Sequence, residues 1–219
     1  MKKFLHYDIP AIEQINESTG RRYSTPEGKL YPSVTSVLSV EDNPALEAWR
    51  KRVGEAAANK ISRTATIRGS KVHEACENYL QGKTTEWGIT DSAAQELFQA
   101  FLPVLERVEV VHAMEARMWS DKLEVAGTVD LICEIDGKLT VVDWKTSSRY
   151  KTKADIPNYF HQMASYAVMF YERTGVVVPN MMVAMTVPEV GLLTFEEPVK
   201  PWVAGFLAMR KKFKDIKGY

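Results

Sequence analysis

Four side chains in this 219-residue chain have the types and the spacing to do chemistry together: His73, Asp130, Asp143 and Lys145. Asp143 and Lys145 flank Trp144 at the end of an apolar run, Leu139-Thr140-Val141-Val142. Side chains two apart on a strand share a face, so the acid and the amine point the same way while Trp144 points into the opposite layer. An acid and an amine at the end of an apolar strand are costly to desolvate unless each has a partner or a task. Asp130 lies on the preceding apolar run, between Val129 and Leu131, and can approach Asp143. Converging carboxylates repel each other, and a hard divalent cation is the usual relief. The chemistry this suggests is metal-assisted, with an ammonium group beside the metal to stabilise developing negative charge.

Asp136-Gly137 between the two apolar runs is a turn signal, so residues 127–147 read as a β-hairpin. Thr66 to Leu80 reads as a helix on which Gly69, His73 and Glu77 recur every four residues along one face. Gly69 permits close backbone approach. A lone helical histidine is ordinarily structural, so His73 carries little by itself. Asp91 to Arg107 reads as a helix burying Leu97, Phe98, Phe101, Leu102 and Leu105, with Pro103 at a kink or in the last turn. Val108 to Trp119 reads as a strand. Within it Glu115 is either a solubilising edge acid or a third acid of the site. Pro157 to Thr174 reads as a helix ended by Gly175, with Gln162 and Tyr166 one turn apart. Two strands follow, Met181–Val187 and Leu192–Glu196, their methionines serving as core filler. A last helix, Pro201 to Lys214, turns Trp202, Phe206 and Met209 inward and Arg210, Lys211 and Lys212 outward.

Met1 to Asn16 carries few signals. Arg21 to Tyr31 reads as a short hairpin around Pro26-Glu27-Gly28. Pro32 blocks helix, and Ser33 caps a short one carrying Val34, Val37 and Leu38. Ser33 is either a cap alone or, with the Thr35 hydroxyl and free amides, a phosphate seat. Asn43-Pro44 opens a helix through Leu46, Trp49, Val53 and Ala57 that bears Arg50, Lys51 and Arg52, with Lys60 and Arg63 beyond. That basic run is a solvated face or a surface for a polyanion backbone.

Taken in order, the patterns are Tyr31-Pro32-Ser33-Val34-Thr35, Gly69-x-x-x-His73-x-x-x-Glu77, the strand with Glu115, Gly127-x-x-Asp130, Asp143-x-Lys145 and Gln162-x-x-x-Tyr166. This series resembles the PD-(D/E)xK nuclease superfamily in its RecB-type branch, with Val129 where the proline would stand. It runs from about Arg21 to Tyr166, and several short patterns in the right order are far less probable by chance than any one. The resemblance implies an α/β (α+β) fold with a restriction-endonuclease-like core, a mixed central sheet flanked by helices, and an N-terminal helical arch or clamp. It divides the chain into a clamp segment, 1–64, and a nuclease core, 65–219. It implies a metal-dependent DNA exonuclease acting from free ends of single-stranded DNA, in replication, repair or recombination. Asp130, Asp143 and Lys145 would be catalytic. His73, Glu115, Asp130, Asp143 and the Trp144 carbonyl would hold the metal. Ser33, Thr35, Arg68, Lys71, Thr146, Ser147, Gln162 and Tyr166 would hold the substrate. The cofactor is expected to be Mg²⁺ or Mn²⁺, and an imidazole ligand favours Mn²⁺ at least equally. The loop from Thr146 to Lys153 is polar, basic and hydroxyl-rich, as phosphate contacts require. Tyr31, Trp49 and Tyr150 are either stacking platforms for bases or core. The competing readings are a duplex-end resecting exonuclease, a structure-specific endonuclease, and a non-catalytic DNA-binding module.

Bulk properties bound these readings. Apolar residues make up 45%, ordinary for a globular protein, and Lys+Arg and Asp+Glu are both 28, so any nucleic-acid surface must come from clustering. No apolar run spans a membrane and the N-terminus lacks the apolar core of a signal peptide, so a soluble, cytoplasmic protein (host cytoplasm if viral) is expected. Cys76 and Cys133 have no partners at zinc spacing and read as reduced, buried thiols. A monomer is expected, with replication or recombination proteins as possible partners.

Overall fold

The computed structural model describes residues 2–17, 20–41, 44–83 and 91–219. In chain order the elements are β1 (Lys3–Phe4), β2 (Glu13–Glu17), β3 (Gly20–Ser24), β4 (Leu30–Pro32), α1 (Val34–Leu38), α2 (Pro44–Val53), α3 (Glu55–Leu80), α4 (Ser92–Gln99), α5 (Leu102–Arg107), β5 (Val108–Ser120), β6 (Val125–Ile135), β7 (Lys138–Thr146), α6 (Pro157–Thr174), β8 (Asn180–Val187), β9 (Gly191–Pro198) and α7 (Lys200–Lys217). A mixed sheet orders the strands β1-β5-β6-β7-β8-β9, and β2-β3-β4 form a second, antiparallel sheet. Strands β5, β6 and β7 are antiparallel neighbours, and β7 pairs β8 in parallel. Parallel neighbours need a crossover, which α6 supplies.

Each face of the large sheet is covered. Register places Leu131, Val142 and Met182 side by side, and next to them Ile132, Val141 and Met181. The first row packs with Cys76, Phe98, Phe101 and Trp144 under α3–α5, the second with Phe160, Met163 and Phe206 under α6 and α7. This is the α/β architecture expected, and the apolar runs of β6 to β8 reflect burial on both sides. Both cysteines are buried and unpaired. Among the described residues no helix is long and apolar enough to cross a membrane.

Several boundaries differ from expectation, each for a physical reason. The lead-in contributes two strands, β1 and β2, whose sequences, Lys-Phe and Glu-Gln-Ile-Asn-Glu, carry no apolar alternation because they lie at sheet edges. Asn43 lies outside the described residues. Helix α2 stops at Val53 rather than passing Ala57, because Gly54 takes a left-handed φ of 84°. A new helix then starts at Glu55 and runs 26 residues without a break, through the position expected to divide clamp from core. The Asp91–Arg107 segment is two helices; Asp91 caps the first, and Pro103 sits in the first turn of the second, where no amide is required. Arg210 does not point outward. It is buried, and its guanidinium donates to the carbonyl and carboxylate of Glu124 and to the carbonyl of Tyr219.

The hairpin of β6 and β7 departs from expectation where it matters most. Its turn has positive φ at Asp136 (50°) and Gly137 (69°), as a tight two-residue hairpin turn requires. Yet the strands pair only from Ile135–Lys138 to Leu131–Val142. Beyond that point they part, and the Trp144 amide donates instead to the Asp130 carboxylate at 3.0 Å. On the other side of β6, Val129 joins one core and Leu131 the other, although residues two apart should share a face. The irregularity is matched on β5 by Glu115, whose φ is 46°. A twist of this kind re-aims side chains.

Candidate active site

The parting of β6 and β7 opens a cleft of about 1070 Å³, walled by α3, α6, the Ser33 turn and the irregular stretch of β5. Each wall owes its place to a local sequence feature. Three of the sequence patterns meet at Gly127. A β-carbon there would lie 2.8 Å from Cε1 and 3.2 Å from Oη of Tyr166, and 3.4 Å from Val34. The glycine is what lets α6 and the α1 turn close on β6. Ser33 holds its turn by accepting the Ser36 amide at 3.0 Å, with hydroxyl contacts to Thr35 and Ser36, and it bridges to Ala126 on β6. Gly69 brings α3 against β7, a β-carbon there meeting Thr146 at 3.5 Å.

At the floor, ligand atoms of His73, Glu115 and Asp130 all lie within 4.8 Å of one another. His73 Nδ1 is 3.6 Å from Asp130 Oδ2. Asp143 is buried just beside them, with Lys145 Nζ 2.5 Å from its Oδ2. Burial pulls the His73 imidazole below its usual value, opposed by Asp130 and by a hydrogen bond to the Trp144 carbonyl. Desolvation in the cleft, then the charges of Asp130 and Glu77, push Glu115 up to about 8. Burial and the neighbouring Asp130 and Glu74 raise Glu77 as well. Burial lifts Asp143 above the ordinary carboxylate range against the pull of Lys145. Burial works against the Lys145 ammonium, but Asp143 and Asp130 hold it above its usual value. Among the described residues, four acids thus crowd one amine and one imidazole at this point of the cleft, while Arg21 and Arg117 line other parts of its wall. Glu77, Glu115 and Asp143 all resist ionising, which is the mark of a site short of positive charge. Two carboxylates and an imidazole at this spacing fit a divalent cation.

The sequence candidates fall into three groups. His73, Glu115, Asp130, Lys145, Trp144, Ser33, Thr35, Thr146, Gln162 and Tyr166 line the cleft, and Asp143 is buried directly behind Lys145. Gln162 donates to Tyr166 Oη at 3.2 Å. Arg68 and Ser147 lie instead in a neighbouring cavity of about 820 Å³, which Ala65 and Thr146 also line. Lys71 reaches neither, since two residues along a helix turn it about 200° from His73. Of the aromatic candidates, Trp49 lines the second cavity and Tyr150 is 60% exposed, whereas Tyr31 is tied down by Asp121 at 2.8 Å. The reading from sequence gave no role to Glu77 or Tyr159. Glu77 was signalled by its spacing from His73. Tyr159 had no signal: it stands over Lys145, with Nζ 5.0 Å from its ring centroid, only because β7 and α6 are packed side by side.

A sequence model of the PD-(D/E)XK nuclease superfamily matches residues 89–200. Human mitochondrial genome maintenance exonuclease 1 is 30% identical over 131 residues, which is 56% of this chain and 38% of that protein. The mouse protein of the same name is 28% identical over 128 residues, 55% of this chain and 38% of its own. The matched part therefore spans well under half the length of these relatives. Among solved structures, SSO0001 has a TM-score of 0.45 at 16% identity, covering 84% of this chain and 75% of that one.

Proposed function

The chain belongs to the PD-(D/E)XK nuclease superfamily, and from that premise we propose that it is a divalent-metal-dependent exonuclease that hydrolyses DNA from free single-stranded ends. The observation that carries this reading is the convergence of His73, Glu115 and Asp130 at the point where β6 and β7 part, with the Asp143–Lys145 pair beside them. His73, Glu115 and Asp130 would hold the ion, with Asp143 and the Trp144 carbonyl adjacent. What such an ion supplies when bound is polarisation of the scissile phosphate and a lower pKa for an attacking water.

The chain's own groups do the rest. Lys145 is kept protonated by Asp143 and Asp130, so it presents fixed positive charge to the phosphate as negative charge develops there. Asp130 has a second task in holding the Trp144 amide, which keeps the end of β7 at the cleft floor. Gln162, Tyr166 and the hydroxyls of Ser33 and Thr35 would seat the strand along the walls. The second cavity adds Arg52, Arg68, Arg149 and Lys151 around Trp49. Cations that follow a backbone beside an aromatic platform suit a single strand, whose bases are free to stack. We assign the helical part of residues 1–64, with the basic helix α2, the role of clamp over that strand, β1 of that segment belonging to the central sheet.

A metal-titrated digestion tests the reading, using end-labelled linear single strand, circular single strand and duplex. Loss of the linear single strand with Mn²⁺ at least as effective as Mg²⁺, and survival of the circle, is the expected result. Cleavage of the circle would point to an endonuclease, and no cleavage with either metal to a binding module.

A further inference from the structure

Resting on that reading, we infer that Tyr159 is a positioning residue for Lys145, its ring holding the ammonium group toward Asp143 and the cleft. Tyr159 stands in the first turn of α6, half-buried against the core beneath that helix. Its ring serves two cations. Lys145 Nζ lies 5.0 Å from the centroid, and Lys151 Nζ lies 5.3 Å from the centroid and 3.3 Å from Oη. The face of an aromatic ring is its negative pole, so an ammonium ion is attracted there, more so where water is thinned out.

Lys145 needs such a guide. Its stem has four rotatable carbons, and the carboxylate in direct contact with it, Asp143, belongs to the same strand two residues away. Asp143 alone would hold Nζ against β7. The ring on α6 adds a second direction and limits the swing of the ammonium between β7 and α6. Lys151 donates to the phenol oxygen and so steadies the ring from the loop side. It also lines the second cavity, as Lys145 lines the first, so the ring stands between one lysine of each cavity. Asp143 and Tyr159 thus act through Lys145 from two elements, while Lys145 itself faces the substrate.

Three measurements on the full chain test this. Leu in place of Tyr159 removes the quadrupole and keeps the apolar packing; Phe keeps the ring and loses Oη. Tyr159→Leu is expected to lower kcat about three- to thirtyfold with KM little changed, and Tyr159→Phe to restore most of it. In a Lys145→Ala background Tyr159→Leu should do nothing further, because its effect passes through the missing amine. A purely structural tyrosine would instead show additive losses and would raise KM. The third readout is independent of catalysis. After reductive ¹³C-methylation, the Lys145 methyl resonance, identified by its absence in Lys145→Arg, should be shifted upfield by the ring. That shift should vanish in Tyr159→Leu and persist in Tyr159→Phe. An unshifted Lys145 resonance in the wild type would overturn the inference, as would additivity in the double variant. If the protein cuts no DNA, the resonance still decides the positioning of Lys145, so the two readings fail separately.

Discussion

Two acids, Asp121 in the turn before β6 and Asp130 at the middle of that strand, behave in opposite ways. Asp121, in the turn between β5 and β6, accepts from Lys29 at 2.7 Å, Tyr31 at 2.8 Å, Arg173 at 3.1 Å and the Trp119 indole at 3.2 Å. The Lys29 hydrogen bond above all, with those of Tyr31 and Trp119, holds its carboxyl down at about 2 against a burial penalty. Arg173 also lies over the Trp119 ring at 4.1 Å. The result is a knot that ties the β3–β4 hairpin and α6 to the end of β5. Asp130, further along β6, sits among Glu77, Glu115 and Asp143, and its neighbours are pushed up rather than down. The ingredients are the same: carboxylates, a lysine, aromatic rings. Where charges balance, the cluster adds stability. Where acids outnumber cations, the cluster costs stability, and only a ligand of opposite sign offsets that cost.

This contrast can be broken at several points. The largest expected effect is on catalysis at the unbalanced end. Asp130→Asn should reduce cleavage on the order of a thousandfold while leaving the metal-free protein as stable or more so, read by rate and Tm together. A fall in Tm like that of a balanced acid would erase the distinction. Lys145→Ala should lower turnover about a hundredfold with little loss of strand affinity, measured by titration against an uncut oligonucleotide. Wild-type turnover would remove Lys145 from its role. Next in size is Gly127→Ala, where the new methyl would meet the Tyr166 ring at 2.8 Å. A cost of about 1–3 kcal/mol in denaturant unfolding is expected, with reduced turnover because Tyr166 must shift.

At the balanced end, Asp121→Asn should cost about 0.5–1 kcal/mol, discounted for its partial exposure, and leave cleavage unchanged. The pH dependence sharpens the comparison, because its sign differs at the two ends. Asp121 titrates lower folded than unfolded, so its contribution is fully present above its ordinary value of 3.8 and disappears as pH falls through about 2. The Tm gap between wild type and Asp121→Asn should close over that window. Glu115 titrates higher folded, at about 8 against 4.5, so in chelator its ionisation destabilises the fold between those values, by an amount reduced because its side chain is exposed to water. Glu115→Gln should therefore gain in Tm over wild type as pH rises from 4.5 to 8. A gap of the same sign for both acids would show that charge balance is not what separates them.

Much of this was legible before folding. The strand–turn–strand pattern around Asp136-Gly137, the α6 helix with its Gly175 stop, and the stripe of Gly69, His73 and Glu77 are local, and local rules found them. The two-residue sharing of a face put Asp143 with Lys145 correctly. Other features depended on distant partners. Arg210 reads as a solvated cation until Glu124 and the C-terminal carbonyl of Tyr219 meet it. Lys71 is as basic as Arg68, and only the turn of α3 separates them from the cleft in different degrees. Strands β1 and β2 have no apolar period to find, since edge pairing rests on backbone hydrogen bonds.

What the residues alone decided was the inventory: which acids, which amine, which imidazole, and which element each rides on. Periodicity and turn chemistry act over a few residues, so they are written in the chain itself. The tertiary structure decided the meeting. It parted β6 from β7 after Leu131 and Val142, broke the alternation at Asp130 and Glu115, and packed Tyr166 onto Gly127. Those are contacts between segments far apart in sequence, and their geometry follows from how two cores share one sheet.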